Sequence, residues 1–168
     1  MCMQQRHIIA TIVENKPGVL YEVANMFRRR NFNIDSISVG PVETRDLARM
    51  TITVQGDEAT IEQVVKQLNK IIDVVKVSIL DPSNTVTREM ALVKVHIPDT
   101  DARSNMIQYA NVFRAHIIDI SHDAIIVEIT GDSEKIDAFI DLARFFGIKE
   151  IARTGITALI RGGKAIKE

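Results

Sequence analysis

His7-Ile8-Ile9-Ala10-Thr11-Ile12-Val13 is an almost unbroken apolar run, rich in β-branched residues and short enough to be a buried strand. From Leu20 the pattern changes: Leu20, Val23, Ala24 and Phe27 recur at the i, i+3, i+4, i+7 spacing of one helical face. Arg28-Arg29-Arg30-Asn31 then closes the predicted helix with cations where its dipole favours them. Ile34 to Val39 and Met50 to Val54 read as strands with apolar/polar alternation, the pattern of a sheet covered on one face. A charged connection from Gly40 to Arg49 joins them. Gly56-Asp57 ends the second of these and supplies a helix cap, after which Ile61, Val64, Val65, Leu68 and Ile72 form another apolar stripe. Val74 to Leu80 is the fourth strand, so the predicted order is βαββαβ.

Asp81 to Arg88 is rich in turn-forming residues (Pro82, Ser83, Asn84 and two Thr), and beyond it the pattern recurs. Met90 to Ile97 predicts a strand, Arg103 to Phe113 a weaker helix, and Ala115 to Ser121 and Ala124 to Thr130 two further strands. Gly131-Asp132-Ser133 caps a helix carrying Ile136, Phe139, Ile140 and Phe146, and Ile148 to Ile160 supplies the closing strand or strands, bent at Gly155. The echo is visible in short strings: Ile34-Asp35 returns as Ile118-Asp119, and Gly56-Asp57 as Gly131-Asp132. The predicted architecture is therefore α+β, with two ferredoxin-like βαββαβ domains at 1–80 and 88–168, joined by a linker at 81–87. Each would be an antiparallel sheet with its helices on one face. The bare faces and edges are left to pair with another copy, making at least a homodimer.

Composition narrows the function classes. The 168 residues carry a net charge of −1, with no basic field to draw in nucleic acid. A βαββαβ sheet that binds RNA needs stacking aromatics on its central strands. Here those strands have none, and the chain holds only six Phe, two Tyr and no Trp. The single cysteine, Cys2, rules out an internal disulfide and fits a reducing compartment. No apolar run is long enough to span a bilayer and Met1 to Arg6 has no signal-peptide core, so the expected location is the cytoplasm, away from membranes. No Walker loop, HExxH string or Ser/His/Asp arrangement marks a catalytic site. His7, His96, His116 and His122 are scattered, without the spacing of metal ligands.

The stretch with candidate chemistry is Glu14-Asn15-Lys16-Pro17-Gly18-Val19-Leu20, where a strand ends at a helix N-terminus. The first N–H groups of a helix have no internal partner, so a carboxylate would sit well on the amides near Gly18 and Val19. The Asn15 amide would suit the ammonium of the same small molecule. The local pattern equally allows Asn15 to be a helix cap and Gly18 a simple turn. In the internal repeat Asn15 and Gly18 align with Asp99 and Ala102, so the second unit lacks both residues.

With these strings in hand, the chain resembles the regulatory (small) subunit of acetohydroxyacid synthase, also called acetolactate synthase, whose N-terminal half is an ACT domain. The resemblance rests on the 14–20 loop, Asn31-Phe32-Asn33-Ile34-Asp35-Ser36-Ile37, Arg49-Met50-Thr51-Ile52 and the run from Lys66 to Val74. In the second half it rests on Arg88 to Lys94, Phe113 to Asp119 and Ala152-Arg153-Thr154-Gly155. It implies a subunit with no active site and no cofactor of its own. Thiamine diphosphate, Mg and FAD would belong to the catalytic large subunit, which this chain would activate and place under feedback inhibition by valine or another branched-chain amino acid. The implied effector site takes Asn15, Pro17, Gly18, Val19 and Leu20 from one ACT domain, with Asn33 and Ile34 approaching from its partner in a homodimer. The alternative is a free-standing ACT-type amino-acid sensor acting on a different enzyme or regulator.

Overall fold

A computed structural model describes residues 5–166, and Cys2 lies outside them. Two compact units emerge, Met1–Val86 together with Gly155–Glu168, and Thr87–Thr154.

The first unit runs β1 (Gln5–Glu14), α1 (Val19–Arg29), β2 (Ile34–Pro41), β3 (Leu47–Gly56), α2 (Glu58–Leu68) and β4 (Val74–Leu80). Its strands lie in the order β2-β3-β1-β4, each pair antiparallel. This is the expected ferredoxin-like arrangement. β1 is central, which explains why its pattern is apolar rather than alternating: both of its faces are covered. Ile9 and Val13 pack with Val19, Val23, Phe27, Ile61, Val64 and Leu68 in the core beneath the helices. Ile8 and Ala10 point the other way and cluster with Leu80, Ile156 and Ala158, with Ile160 and Ile166 at the margin.

The second unit repeats the plan with β5 (Thr85–His96), α3 (Thr100–Val112), β6 (His116–Ile120), β7 (Ala124–Gly131), α4 (Ser133–Arg144) and β8 (Ile148–Arg153), in the order β6-β7-β5-β8. Val93, Val95, Val127 and Ile129 meet Met106, Ile136 and Phe139 in its core. The helix C-termini repeat as well. Asn31 (φ 55°) and Arg114 (φ 51°) occupy the left-handed position after α1 and α3. Behind them Phe32 N–H donates to Phe27 and Ala115 N–H to Ala110, at 3.0 and 2.8 Å.

Several boundaries differ from the sequence expectation. The segment from Gly155, expected to close the second domain, belongs with the first, and β9 (Thr157–Ile160) lies there. Its ladder partner is β5, whose first residues Thr85 and Val86 are in the same unit. The Arg49 guanidinium donates to the Ala158 carbonyl at 2.7 Å, and the Ser38 and Thr157 hydroxyls are 3.2 Å apart. The helix-free face of the first sheet, expected bare, is therefore covered by the chain's own end at Ile8, Ala10 and Leu80. In place of an open linker at 81–87 there is a single 3-10 turn, Pro82–Asn84, followed at once by β5. The Asp81 carboxylate accepts from the Ser83 N–H and hydroxyl at 2.9 and 2.7 Å and caps that turn. The charged hairpin shrinks to 42–46 because β2 and β3 run further than their alternation suggested. The stripe on α1 is Val19, Val23 and Phe27; Leu20 is 49% exposed. A 3.6-residue period allows either of two adjacent stripes, and the turn at Gly18 decides which one faces the sheet. α2 ends at Leu68, leaving Ile72 93% exposed beyond it.

Candidate functional site

The loop from Glu14 to Gly18 is pinned at its strand end. Glu14 N–H donates to the Asp73 carbonyl (2.9 Å), and Asn15 N–H to the Asp46 carbonyl (2.7 Å). The Lys16 ammonium lies 2.5 Å from the Asp73 carboxylate and 2.8 Å from that of Glu14. Those two hydrogen bonds, Asp73 first, raise the Lys16 ammonium above the usual lysine range, so it stays charged. Lys16 and Asp73 were not singled out as functional candidates. Lys16 lay inside the motif, but Asp73 reaches it only through the β1–β4 pairing, which no local pattern reveals.

Past Pro17 the chain turns at Gly18, with φ 96° and ψ −24°, a left-handed conformation in which a glycine carries little strain. Gly18 is the N-cap of α1, so Asn15 does not cap the helix, and no side chain accepts from its first amides. The other three α-helices of the described residues each place an aspartate there. Asp57 accepts from Thr60 N–H at 2.8 Å, Asp99 from Ala102 N–H at 2.7 Å and Asp132 from Lys135 N–H at 2.9 Å. α1 thus presents its first N–H groups and the positive end of its dipole without a capping carboxylate, the one acidic residue of its first turn being the exposed Glu22. Val19 is buried, so only its backbone faces that end of the helix; Asn15 and Pro17 are exposed and Leu20 is half-exposed.

Asn33 and Ile34 are not brought to this loop. Ile34 pairs with Val54 and Val54 with His7, whereas Asn15 follows Glu14, which pairs with Leu47. The two groups lie at opposite ends of the sheet, separated by the run from His7 to Glu14, roughly 23 Å at about 3.3 Å per residue. Asn33 is exposed and its side-chain amide donates to the Asp35 carboxylate at 3.3 Å. Ile34 is half-buried against the core.

The internal repeat aligns differently at this loop. Asn15 N–H donates to Asp46, and Ile97 N–H donates to Asp123 at 2.9 Å; Glu14 donates to Asp73, and His96 to Gly147 at 2.8 Å. The structural counterpart of Asn15 is therefore Ile97, and that of Gly18, the N-cap, is Asp99. The expected equivalence with Asp99 and Ala102 is corrected, because the second turn is one residue shorter. Its helix fills its own N-terminus with Asp99, so the second unit cannot offer the same anion site.

No cluster of three or more His, Cys, Asp or Glu suited to a metal ion occurs among the described residues. No helix among them is long and apolar enough to cross a membrane.

Comparison with known proteins places the chain. Residues 88–162 match the family described as the small subunit of acetolactate synthase, and residues 9–76 match the AHAS small subunit-like ACT domain. A protein of Methanothermobacter thermautotrophicus described as a probable acetolactate synthase small subunit is 58% identical over 160 residues, 95% of each chain. The chain belongs to the acetolactate synthase small-subunit family. The acetolactate synthase small subunit of Mycobacterium bovis is 45% identical, again over 95% of each chain. The crystal structure of the small subunit from Thermotoga maritima superposes with a TM-score of 0.89 at 47% identity, covering 95% of this chain and 99% of that one. The fold and the family resemblance read from the 14–20 loop and the doubled unit are thus both met. In this family the chain is a regulatory small subunit, and the ACT domain carries the open end of α1.

Proposed function

We propose that this chain binds the thiamine-diphosphate-dependent catalytic subunit of acetolactate synthase, raises its activity and confers feedback inhibition by a branched-chain amino acid, valine foremost. The chain would carry no active site and no cofactor of its own; thiamine diphosphate, Mg and FAD would reside in the catalytic subunit. The observation that carries the effector site is the uncapped N-terminus of α1, beside an exposed Asn15 on a pinned loop. A zwitterion needs donors for its carboxylate, an acceptor for its ammonium and an apolar wall for its side chain. The amides following Gly18 provide the first and the Asn15 side-chain oxygen the second. Leu20 provides part of the third, with Asn33 and Ile34 of a second copy closing the site. The separation of those two residues from Asn15 within one chain supports a site shared between two copies. An effector bound across such an interface favours one dimer arrangement, and so alters what the dimer does to the catalytic subunit.

The test is reconstitution with the cognate catalytic subunit, alongside calorimetric titration with valine, leucine and isoleucine. Activity should rise on adding this chain and fall again with one of the three amino acids. Asn15→Ala and Gly18→Asp should keep the activation and lose the inhibition, the aspartate by repelling the ligand carboxylate as well as straining the turn. Failure to alter the synthase's activity, with amino-acid binding intact, would move the reading to a sensor of another enzyme. Inhibition unchanged in both variants would remove the α1 site.

A further inference from the structure

On the helix-free side of the first unit a cavity of about 620 Å³ lies beneath the β2–β3 hairpin. Its floor is Ile12 and Arg49, directly paired across β1 and β3. Val42, Leu159, Ile160, Ala165 and Ile166 form apolar walls, and Glu43, Thr44 and Lys164 bring the remaining polar groups. This volume falls within the ordinary range for small-molecule sites.

The charged group in the floor is incompletely satisfied. One terminal nitrogen of Arg49 donates to the Ala158 carbonyl at 2.7 Å, but its buried Nε–H has no hydrogen-bond partner among the described residues. No carboxylate there lies within ion-pairing distance of it. Burial lowers the affinity of this guanidinium for its proton, the direction expected of a cation taken from water without a counter-ion. An arginine presents adjacent N–H groups in a planar fork that matches the two oxygens of a carboxylate. Arg49 and Lys164 against Glu43 leave the cavity one net positive charge, which suits a singly charged anion. The branched walls suit a hydrocarbon body.

We propose that this cavity binds an aliphatic monocarboxylate, its carboxylate on the Arg49 guanidinium and its hydrocarbon against Ile12, Val42, Leu159 and Ile166. The site is independent of α1 and of the effector reading: it lies on the other face of the sheet and uses none of the same residues.

The experiment is titration of the full-length, isotope-labelled protein with octanoate, following the Arg49 Nε–H resonance and the Ile12 and Ile160 methyls, with affinity measured by calorimetry. Octanamide and inorganic phosphate serve as the neutral and the tail-less probe. Octanoate should saturate and shift all three groups, while the two controls bind about tenfold or more weakly. Arg49→Gln should weaken octanoate by about tenfold or more. Because that variant also loses the bond to Ala158, two wall variants accompany it. Lys164→Glu should weaken octanoate and Glu43→Gln should tighten it. Octanamide binding as well as octanoate would reduce the site to an apolar groove. Phosphate shifting Arg49 as strongly would remove the hydrocarbon requirement. No shift at Arg49, or affinities unmoved by both wall variants, would overturn the proposal.

Discussion

Two glycines of the first unit are needed for opposite reasons. Gly155 lies so close to β2 that a Cβ there would stand 2.5 Å from the Ile37 carbonyl oxygen and 2.7 Å from its carbon. Backbone cannot yield as a flexible side chain does, so Gly155→Ala should cost about 1–3 kcal/mol, the scale of overpacking. Gly18 has nothing within 4 Å of such an atom, but its φ is +96°. Gly18→Ala should therefore cost only conformational strain, about 1–2 kcal/mol. Urea unfolding of the two variants beside the parent chain checks the order, and a larger loss at Gly18 would contradict it. The two were not equally legible. Gly18 follows a proline at the junction of a strand pattern and a helix pattern, so its turn could be read locally. Gly155 read as a bend, because the carbonyl it must clear is 118 positions away in sequence.

At the scale of elements, the caps were largely visible and the helix faces less so. Gly56-Asp57 and Gly131-Asp132 predicted helix starts, and both aspartates accept from the amide three residues on. Hydrogen bonds from the Thr60 hydroxyl and N–H hold the Asp57 carboxyl below the ordinary aspartate range. A group whose pKa falls on folding stabilises the fold above its unfolded value and loses that contribution as pH drops through the folded one. Asp57→Ala should therefore lower the melting temperature at pH 7, and the gap should close as pH falls below about 4. A gap that stays constant down to acid pH would mean that the carboxylate charge is not what the cap uses. α1 shows what periodicity misses. Leu20, Val23, Ala24 and Phe27 fit one helical face, yet the sheet receives Val19, Val23 and Phe27. Which of two neighbouring stripes turns inward depends on where the helix leaves β1, whereas Ile72 lies outside its helix because α2 ends at Leu68.

Over the whole molecule, the first unit is assembled from both ends of the chain. Removing everything after Thr154 should uncover Ile8, Ala10 and Leu80, at a cost on the order of a few kcal/mol. The shortened chain should melt earlier and bind an apolar dye, whereas an unchanged melting temperature would show that the cover contributes little. The order of strands and helices, the doubled βαββαβ plan and the family were all legible in the sequence, because they rest on short-range periodicity and contiguous strings. So was the absence of an Asn and a Gly from the second turn, although the alignment that revealed it was two residues out at Asn15. Tertiary structure alone decided that the last strand returns to the first unit, that Lys16 is tied to Asp73, and that Arg49 lines a cavity of mixed polarity with no ion-pair partner among the described residues. It also decided that Asn33 stands at the far end of the sheet from Asn15. Local pattern follows from the chemistry of neighbours in the chain, which the sequence records directly. These other features depend on groups tens of residues apart meeting in space, and that is settled by strand pairing and by what each face of a sheet must bury.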